Sequence, residues 1–170
     1  MIKPKVAFVL GSDSDYPAIE DACKLLDGLE VPYEVVVASA HRSPDRTHRY
    51  AVTLEERGIQ VVIACAGGAA RLAGMLAANT ILPVIGVPID STALHGLDAL
   101  LSTSMMPVGV PVATMAIGKA GAGNAAILAA QILARGDAAL ARRLREHKKR
   151  LADRVEERDR ELRKTRNLNV

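Results

Sequence analysis

Short apolar runs of strand length alternate along the first half of the chain with longer stretches whose apolar positions return every three or four residues. Residues 5–10, 33–38, 61–64 and 83–87 are the runs, rich in valine, isoleucine and alanine. After the first, Gly11-Ser12-Asp13-Ser14-Asp15 breaks the pattern, Asp15 stands where a helix cap is expected, and Pro17 falls in the first turn. Ile19, Ala22, Cys23, Leu25, Leu26 and Leu29 then share one helical face that ends before Val31-Pro32. After the second run, Ser43 takes the N-cap and Pro44 the first helical position. Thr47, Tyr50, Ala51 and Leu54 face inward, and Gly58 closes the helix. An Ala/Leu/Met helix over 70–79 leads into the fourth strand. This strand–helix alternation, with crossovers of a dozen or more residues, predicts a parallel sheet covered on its faces by helices.

The remainder predicts a loop over 90–97 containing His95-Gly96, a short helix over 97–105 and a fifth strand over 112–117. A glycine-rich turn over 118–124 and an alanine-rich helix over 124–134 follow. From residue 137 the pattern changes to a single stripe, Leu140, Leu144, Leu151, Val155 and Leu162, the 11-residue spacing of a nearly straight helix. Glu146/Arg150, Glu156/Arg160 and Asp159/Arg163 are spaced to support it. One stripe has little to bury within its own domain, so the tail is expected to reach across a neighbouring subunit. A basic nucleic-acid arm and a solvent-facing helix are the alternatives.

A length of 170 residues allows one domain with a substantial core, here residues 1–136, followed by the charged helix 137–170. Charge separates these parts: residues 1–134 hold 9 basic and 12 acidic side chains, residues 135–170 hold 13 and 7. The body therefore lacks the uniform basic face of a nucleic-acid binder. Cys23 and Cys65 are too few for a disulfide framework or a four-ligand zinc site and fit a reducing compartment. Met1-Ile2-Lys3-Pro4-Lys5 offers no secretory apolar region, and Pro83, Pro88, Pro107 and Pro111 interrupt the apolar middle. The expectation is a cytoplasmic protein with no membrane partner.

Three strand ends, 11–15, 39–44 and 66–71, are expected to converge, because ligands of parallel α/β sheets collect at the strands' C-terminal edge. The first offers successive backbone N–H groups, two hydroxyls and two carboxylates, with Gly11 permitting a tight turn. Asp15 is either an acceptor for ribose hydroxyls or only a cap. Arg42 suits an anion, or a rim salt bridge. His41 lies among polar neighbours and belongs to the residue type that exchanges protons near neutrality; a purely structural histidine is the alternative. HExxH, CxxC, GxxxxGK[ST], a GxGxxG after the first strand and GxSxG are all missing from the sequence. The residues alone thus lead to a flavodoxin-like, oligomeric enzyme acting on a small phosphorylated metabolite by acid–base chemistry, without a metal.

Five segments, Gly11 to Asp15, Ser39 to Pro44, Ala66 to Ala70, Leu82 to Pro88 and Ile117 to Ala125, in order across residues 5–135, resemble the PurE family of purine biosynthesis. The nearer resemblance is to its class I, the N5-carboxyaminoimidazole ribonucleotide mutases. That resemblance implies a three-layer flavodoxin-like sandwich with a five-stranded parallel sheet, assembled as a homo-octamer whose long C-terminal helix packs on neighbours. It implies transfer of a carboxylate from N5 to ring carbon C4 by decarboxylation and recarboxylation, with no cofactor and no metal. His41 matches the family's essential histidine. The substrate-binding positions implied are Gly11, Ser12, Asp13, Asp15, Ser39, Ala40, Arg42, Gly67, Gly68, Ala69, Arg71 and Leu72. Ser12, Ser39 and Arg42 would serve the phosphate, Asp15 the ribose, and Gly67, Gly68 and Ala69 the carboxylate and CO2.

Two departures stand out. The family's usual Ala-Ala-His-Leu-Pro-Gly is Ala69-Ala70-Arg71-Leu72-Ala73-Gly74 here, and the Gln of its Gln-Met-Pro is Met105. Arg71 replaces a titratable ring by a permanent cation, which either strengthens carboxylate binding or signals a different substrate. The alternative activity is carboxylation of aminoimidazole ribonucleotide by free CO2, although the serine-asparagine-glycine loop of that class is missing.

Overall fold

The computed structural model describes residues 3–166. The ends of the sequence, including the last four positions of the predicted tail helix, lie outside the described residues. Five parallel strands form one sheet: β1 (Val6–Leu10), β2 (Tyr33–Val37), β3 (Val61–Gly67), β4 (Val84–Ile89) and β5 (Ala113–Thr114), in the order β2-β1-β3-β4-β5. Alternation along the central strands assigns each side chain to a face. Val6, Phe8 and Leu10 of β1, with Val61, Ile63 and Cys65 of β3, pack under α1 (Tyr16–Gly28) and α5 (Gly118–Leu133). Ala7, Val9, Val62, Ala64 and Ala66 face the opposite layer. That layer contains α2 (Pro44–Val52), α3 (Leu72–Ala77) and α4 (Leu97–Ser104). The predicted three-layer flavodoxin-like sandwich is the fold observed.

Small side chains set the spacing of the first layer. Ala122, Ala125, Ala126, Ala129 and Ala130 are fully buried on α5, which lies directly against α1. The glycine-rich run expected as a turn forms the first turns of α5 instead. Gly121 explains the requirement there, because a Cβ at that position would fall 1.6 Å from the carbonyl oxygen of Ala116. The fifth strand is shorter than expected, since only Ala113 and Thr114 pair with Ile85 and Gly86 before the chain turns towards α5. The second helix also stops early, at Val52. The Thr53 hydroxyl donates to the Tyr50 carbonyl at 3.0 Å, and Gly58, at φ +88°, closes a separate turn.

The tail is the helix α6 (Ala138–Arg166). Asp137 starts it, its carboxylate accepting the Leu140 N–H at 2.9 Å. Leu140 is buried in the core and Leu144 packs against it, while Arg143 donates to the Leu29 carbonyl at 2.8 Å. Beyond this anchorage the apolar stripe emerges: Leu151, Val155 and Leu162 are all exposed. Asp159 and Arg163 pair as expected, whereas Arg160 Nε donates to the Glu156 backbone carbonyl. Among the described residues no helix is long and apolar enough to cross a membrane.

Candidate active site

In the 2-1-3-4-5 order, the connections leaving β1 and β3 depart in opposite senses and open a crevice at the strands' C-terminal ends. A cleft of 350 Å³ occupies that position. The loop after β1 supplies Gly11, Ser12, Ser14 and Asp15, and the loop after β2 supplies Ser39, Ala40, His41 and Arg42. The end of β3 and its loop supply Ala66, Gly67, Ala69, Ala70, Arg71 and Leu72, and Ser91 enters from the end of β4.

Local hydrogen bonds give the first wall its shape. Ser12 caps the 3-10 turn Asp13–Asp15: its hydroxyl accepts the Ser14 N–H at 3.4 Å, and its own N–H donates to Asp15 Oδ2 at 3.1 Å. Asp15 is therefore the returning half of a capping box rather than the side-chain cap of α1. Only 5% of Asp15 is exposed. Desolvation is the largest influence on its carboxyl and raises its pKa, outweighing the Ser12 hydrogen bond and the attraction of Arg42. A buried acceptor with one amide partner has lone pairs left for a ligand's hydroxyl groups.

The second wall is a turn held by its own serines. Ser39 Oγ accepts the Arg42 backbone N–H at 3.2 Å and the guanidinium Nε at 3.4 Å, while Arg42 Nη2 reaches the Gly11 carbonyl at 3.1 Å. Arg42 thus ties the loop after β2 to the loop after β1. Ser43 occupies the N-cap of α2, but its hydroxyl donates to the Ser39 carbonyl at 3.1 Å instead of capping. These contacts leave the exposed imidazole of His41 at the mouth of the cleft.

The third wall approaches by backbone. A Cβ on Gly67 would fall 1.9 Å from Ser91 Oγ, so the glycine lets the ends of β3 and β4 close together. Asp13 and Gly68 do not line the cleft: Asp13 accepts the Ser12 hydroxyl at 3.1 Å, and Gly68 bends the loop at φ +60°. Ser14, the second hydroxyl of the 11–15 loop, and Ser91 do line it, and Ser91 was not singled out in the sequence. The position of Ser91 just beyond an apolar strand was the available signal.

Ala40, His41 and Arg71 also border a second cavity of 470 Å³, completed by Pro44, Gly74, Met75, Ser102 and Met106. A larger groove of 670 Å³ lies elsewhere, between α5 and α6, with Ile127, Leu144 and Leu151 among its lining. Size does not make it the reaction site, because it lies away from the sheet edge where His41, Arg42 and Asp15 meet.

The sequence pattern of the AIR carboxylase family matches residues 5–154. The chain belongs to that family. It is 58% identical over 147 residues to the N5-carboxyaminoimidazole ribonucleotide mutase of Bacillus subtilis, covering 86% of this chain and 91% of the relative. The Escherichia coli K12 mutase of the same name is 53% identical over 151 residues, covering 89% of each. Among solved structures, PurE of Treponema denticola superposes with a TM-score of 0.82 at 25% identity, over 94% of this chain and 98% of that one. The cleft of this AIR carboxylase family member falls wholly inside the matched segment.

Proposed function

We propose that this chain is a mutase that converts N5-carboxyaminoimidazole ribonucleotide into 4-carboxy-5-aminoimidazole ribonucleotide in purine biosynthesis. The observation that carries the reading is the meeting of His41, Arg42, Asp15 and the serines in one crevice, in a chain spanning nearly the whole length of mutase relatives.

The chemistry follows from what each group can do. Protonating the carbamate nitrogen makes it a good leaving group, and CO2 departs with the N–C electron pair left on nitrogen. The electron-rich C4 of aminoimidazole ribonucleotide then attacks CO2, and loss of the C4 proton restores the aromatic ring. His41 gives the first proton and collects the last, so one imidazole serves both halves. Ser12, Ser39 and Arg42 bind the phosphate, Arg42 already being oriented by its contacts to Ser39 and Gly11. Asp15 accepts from the ribose hydroxyls. Gly67 and Ala69 bring their backbone near the transferred group, with Gly68 bending the loop between them, and a closed pocket would keep CO2 from escaping.

The same reading makes the active protein a homo-octamer in the cytoplasm, with residues 1–136 as the catalytic domain and the helix from 137 as its packing arm. The exposed stripe on α6 and the partly apolar groove beside it support the arm, and two buried free cysteines fit a reducing compartment.

The decisive experiment is an NMR assay of substrate labelled with 13C in the carbamate, run in unlabelled bicarbonate. Label retained at C4 is expected. Washed-out label, with equal product from aminoimidazole ribonucleotide and CO2, would make the enzyme a carboxylase, and absence of product would leave only the fold in common.

A further inference from the structure

In the loop after β1, the side chains of Ser14, Ser12 and Asp13 form a hydrogen-bonded chain with a fixed direction. A carboxylate only accepts, so the 3.1 Å contact between Ser12 Oγ and Asp13 Oδ1 uses the single proton of the Ser12 hydroxyl. The 2.9 Å contact between the two serines must then use the Ser14 proton, with Ser12 Oγ accepting. Ser12 Oγ also accepts the Ser14 N–H at 3.4 Å, which fills its second lone pair. Both hydroxyl protons therefore run towards Asp13, and neither is left for a ligand. Asp13 itself is exposed, and among the described residues no basic side chain pairs with it. Its charge is nonetheless felt inside the cleft: burial raises the Asp15 carboxyl most, and Asp13 pushes it the same way.

The substrate read for this site brings a phosphate, which near neutrality carries about two negative charges on oxygens that accept hydrogen bonds. Ser12 and Ser14 line the cleft, but they can donate to such a group only after their protons leave Asp13. We infer that Asp13 is a positioning residue that opposes the phosphate: its carboxylate holds the Ser12 and Ser14 hydroxyl protons away from the cleft and competes with the phosphate for them. This inference rests on the mutase reading and deepens it, since it says what limits the grip of the serines on the nucleotide.

Two effects of Asp13 act in the same direction. Its negative charge repels the phosphate, and its hydrogen bond must break before the serines can turn to their ligand. The phosphate takes no part in moving the carboxylate, so both effects weigh equally on substrate, transition state and product. A uniform effect of that kind appears in KM and leaves kcat nearly alone. It also eases release of a product that Arg42 and three serines would otherwise hold tightly.

The test is isothermal titration of wild type, D13N, D13A and D21N with 4-carboxy-5-aminoimidazole ribonucleotide at low and high salt, alongside steady-state kinetics. D13N removes the charge, D13A removes charge and acceptor, and D21N removes the same charge from an exposed position on α1 that does not line the cleft. At low salt D13N and D13A should each bind the nucleotide about 3- to 10-fold more tightly than wild type, and the gain should shrink as salt screens the repulsion. KM should fall by a similar factor with kcat held within about three-fold, while D21N stays within about two-fold of wild type throughout. Unchanged or weaker binding by D13N and D13A would overturn the inference and make Asp13 a support for Ser12. Equal tightening by D21N would overturn it too, by reducing the effect to net charge. If wild type did not bind the nucleotide at all, the mutase reading itself would fall.

Discussion

Replacing Asp15 with asparagine should separate the stability of the cleft from its chemistry. The carboxylate is 5% exposed and accepts one backbone N–H, at 3.1 Å from Ser12. Burial raises its pKa above the ordinary 3.8 despite that bond and the nearby Arg42, so the ionised form is less favourable in the folded chain than in the unfolded one. The sign then follows: the folded state holds its proton more tightly, so stability is greatest below the ordinary value and declines as pH rises through the raised one. Asparagine keeps an acceptor for Ser12 without a charge to desolvate. At neutral pH Asp15→Asn should therefore be as stable as wild type or more so, by up to about 1 kcal/mol, or 2–4 °C in Tm for a chain of this size. Ribonucleotide binding should weaken about 10-fold or more, because a charge-assisted hydrogen bond to ribose is worth about 1.5–3 kcal/mol. Urea titrations from acid to neutral pH, with calorimetric binding on the same samples, give both quantities. A variant less stable than wild type at neutral pH, with unchanged binding, would refute the reasoning: the carboxylate would then be a structural cap.

His41→Asn should leave the melting curve unchanged and lower turnover by about 10²–10⁴-fold, the range for loss of a general acid–base group; turnover within a few-fold of wild type would remove its proton role. Gly121→Ala should lower stability by about 1–3 kcal/mol, because its methyl meets the Ala116 backbone at 1.6 Å; an unchanged thermal melt would mean that the loop yields freely. Deleting 137–170 should lower the oligomeric mass measured by light scattering and reduce Tm, and an unchanged mass and Tm would refute packing of α6 across subunits.

What was legible in the sequence was what depends on local pattern. The β-branched runs gave β1 to β4, and the positions of Ser39, His41 and Arg42 just after a strand placed them at the ligand-bearing edge. The errors arose where tertiary contact overrides local preference. The glycine-rich run at 118–124 reads as a turn until Gly121 is seen to make room for the Ala116 carbonyl. Asp15 reads as a cap for α1 until Ser12 claims its carboxylate. Ser91 reaches the cleft only because Gly67 lets two strand ends meet, and Ser102 and Met106 reach the second cavity only because α4 packs beside β4. No periodicity encodes such meetings. Arg71 stood out through family resemblance, but its place on a shared boundary required the fold.

The unsupported length of α6 bears on how a cell would handle this protein. Leu140, Leu144 and Arg143 moor its first turns, while Leu151, Val155 and Leu162 face solvent in the isolated chain. If neighbours pack on α6 as proposed, a protomer without them displays a long arm with an exposed apolar stripe that companions would cover. On the proposed assembly, an unassembled copy would thus be cut within α6 more readily than an assembled one, and the digestion rate would report how complete the assembly is.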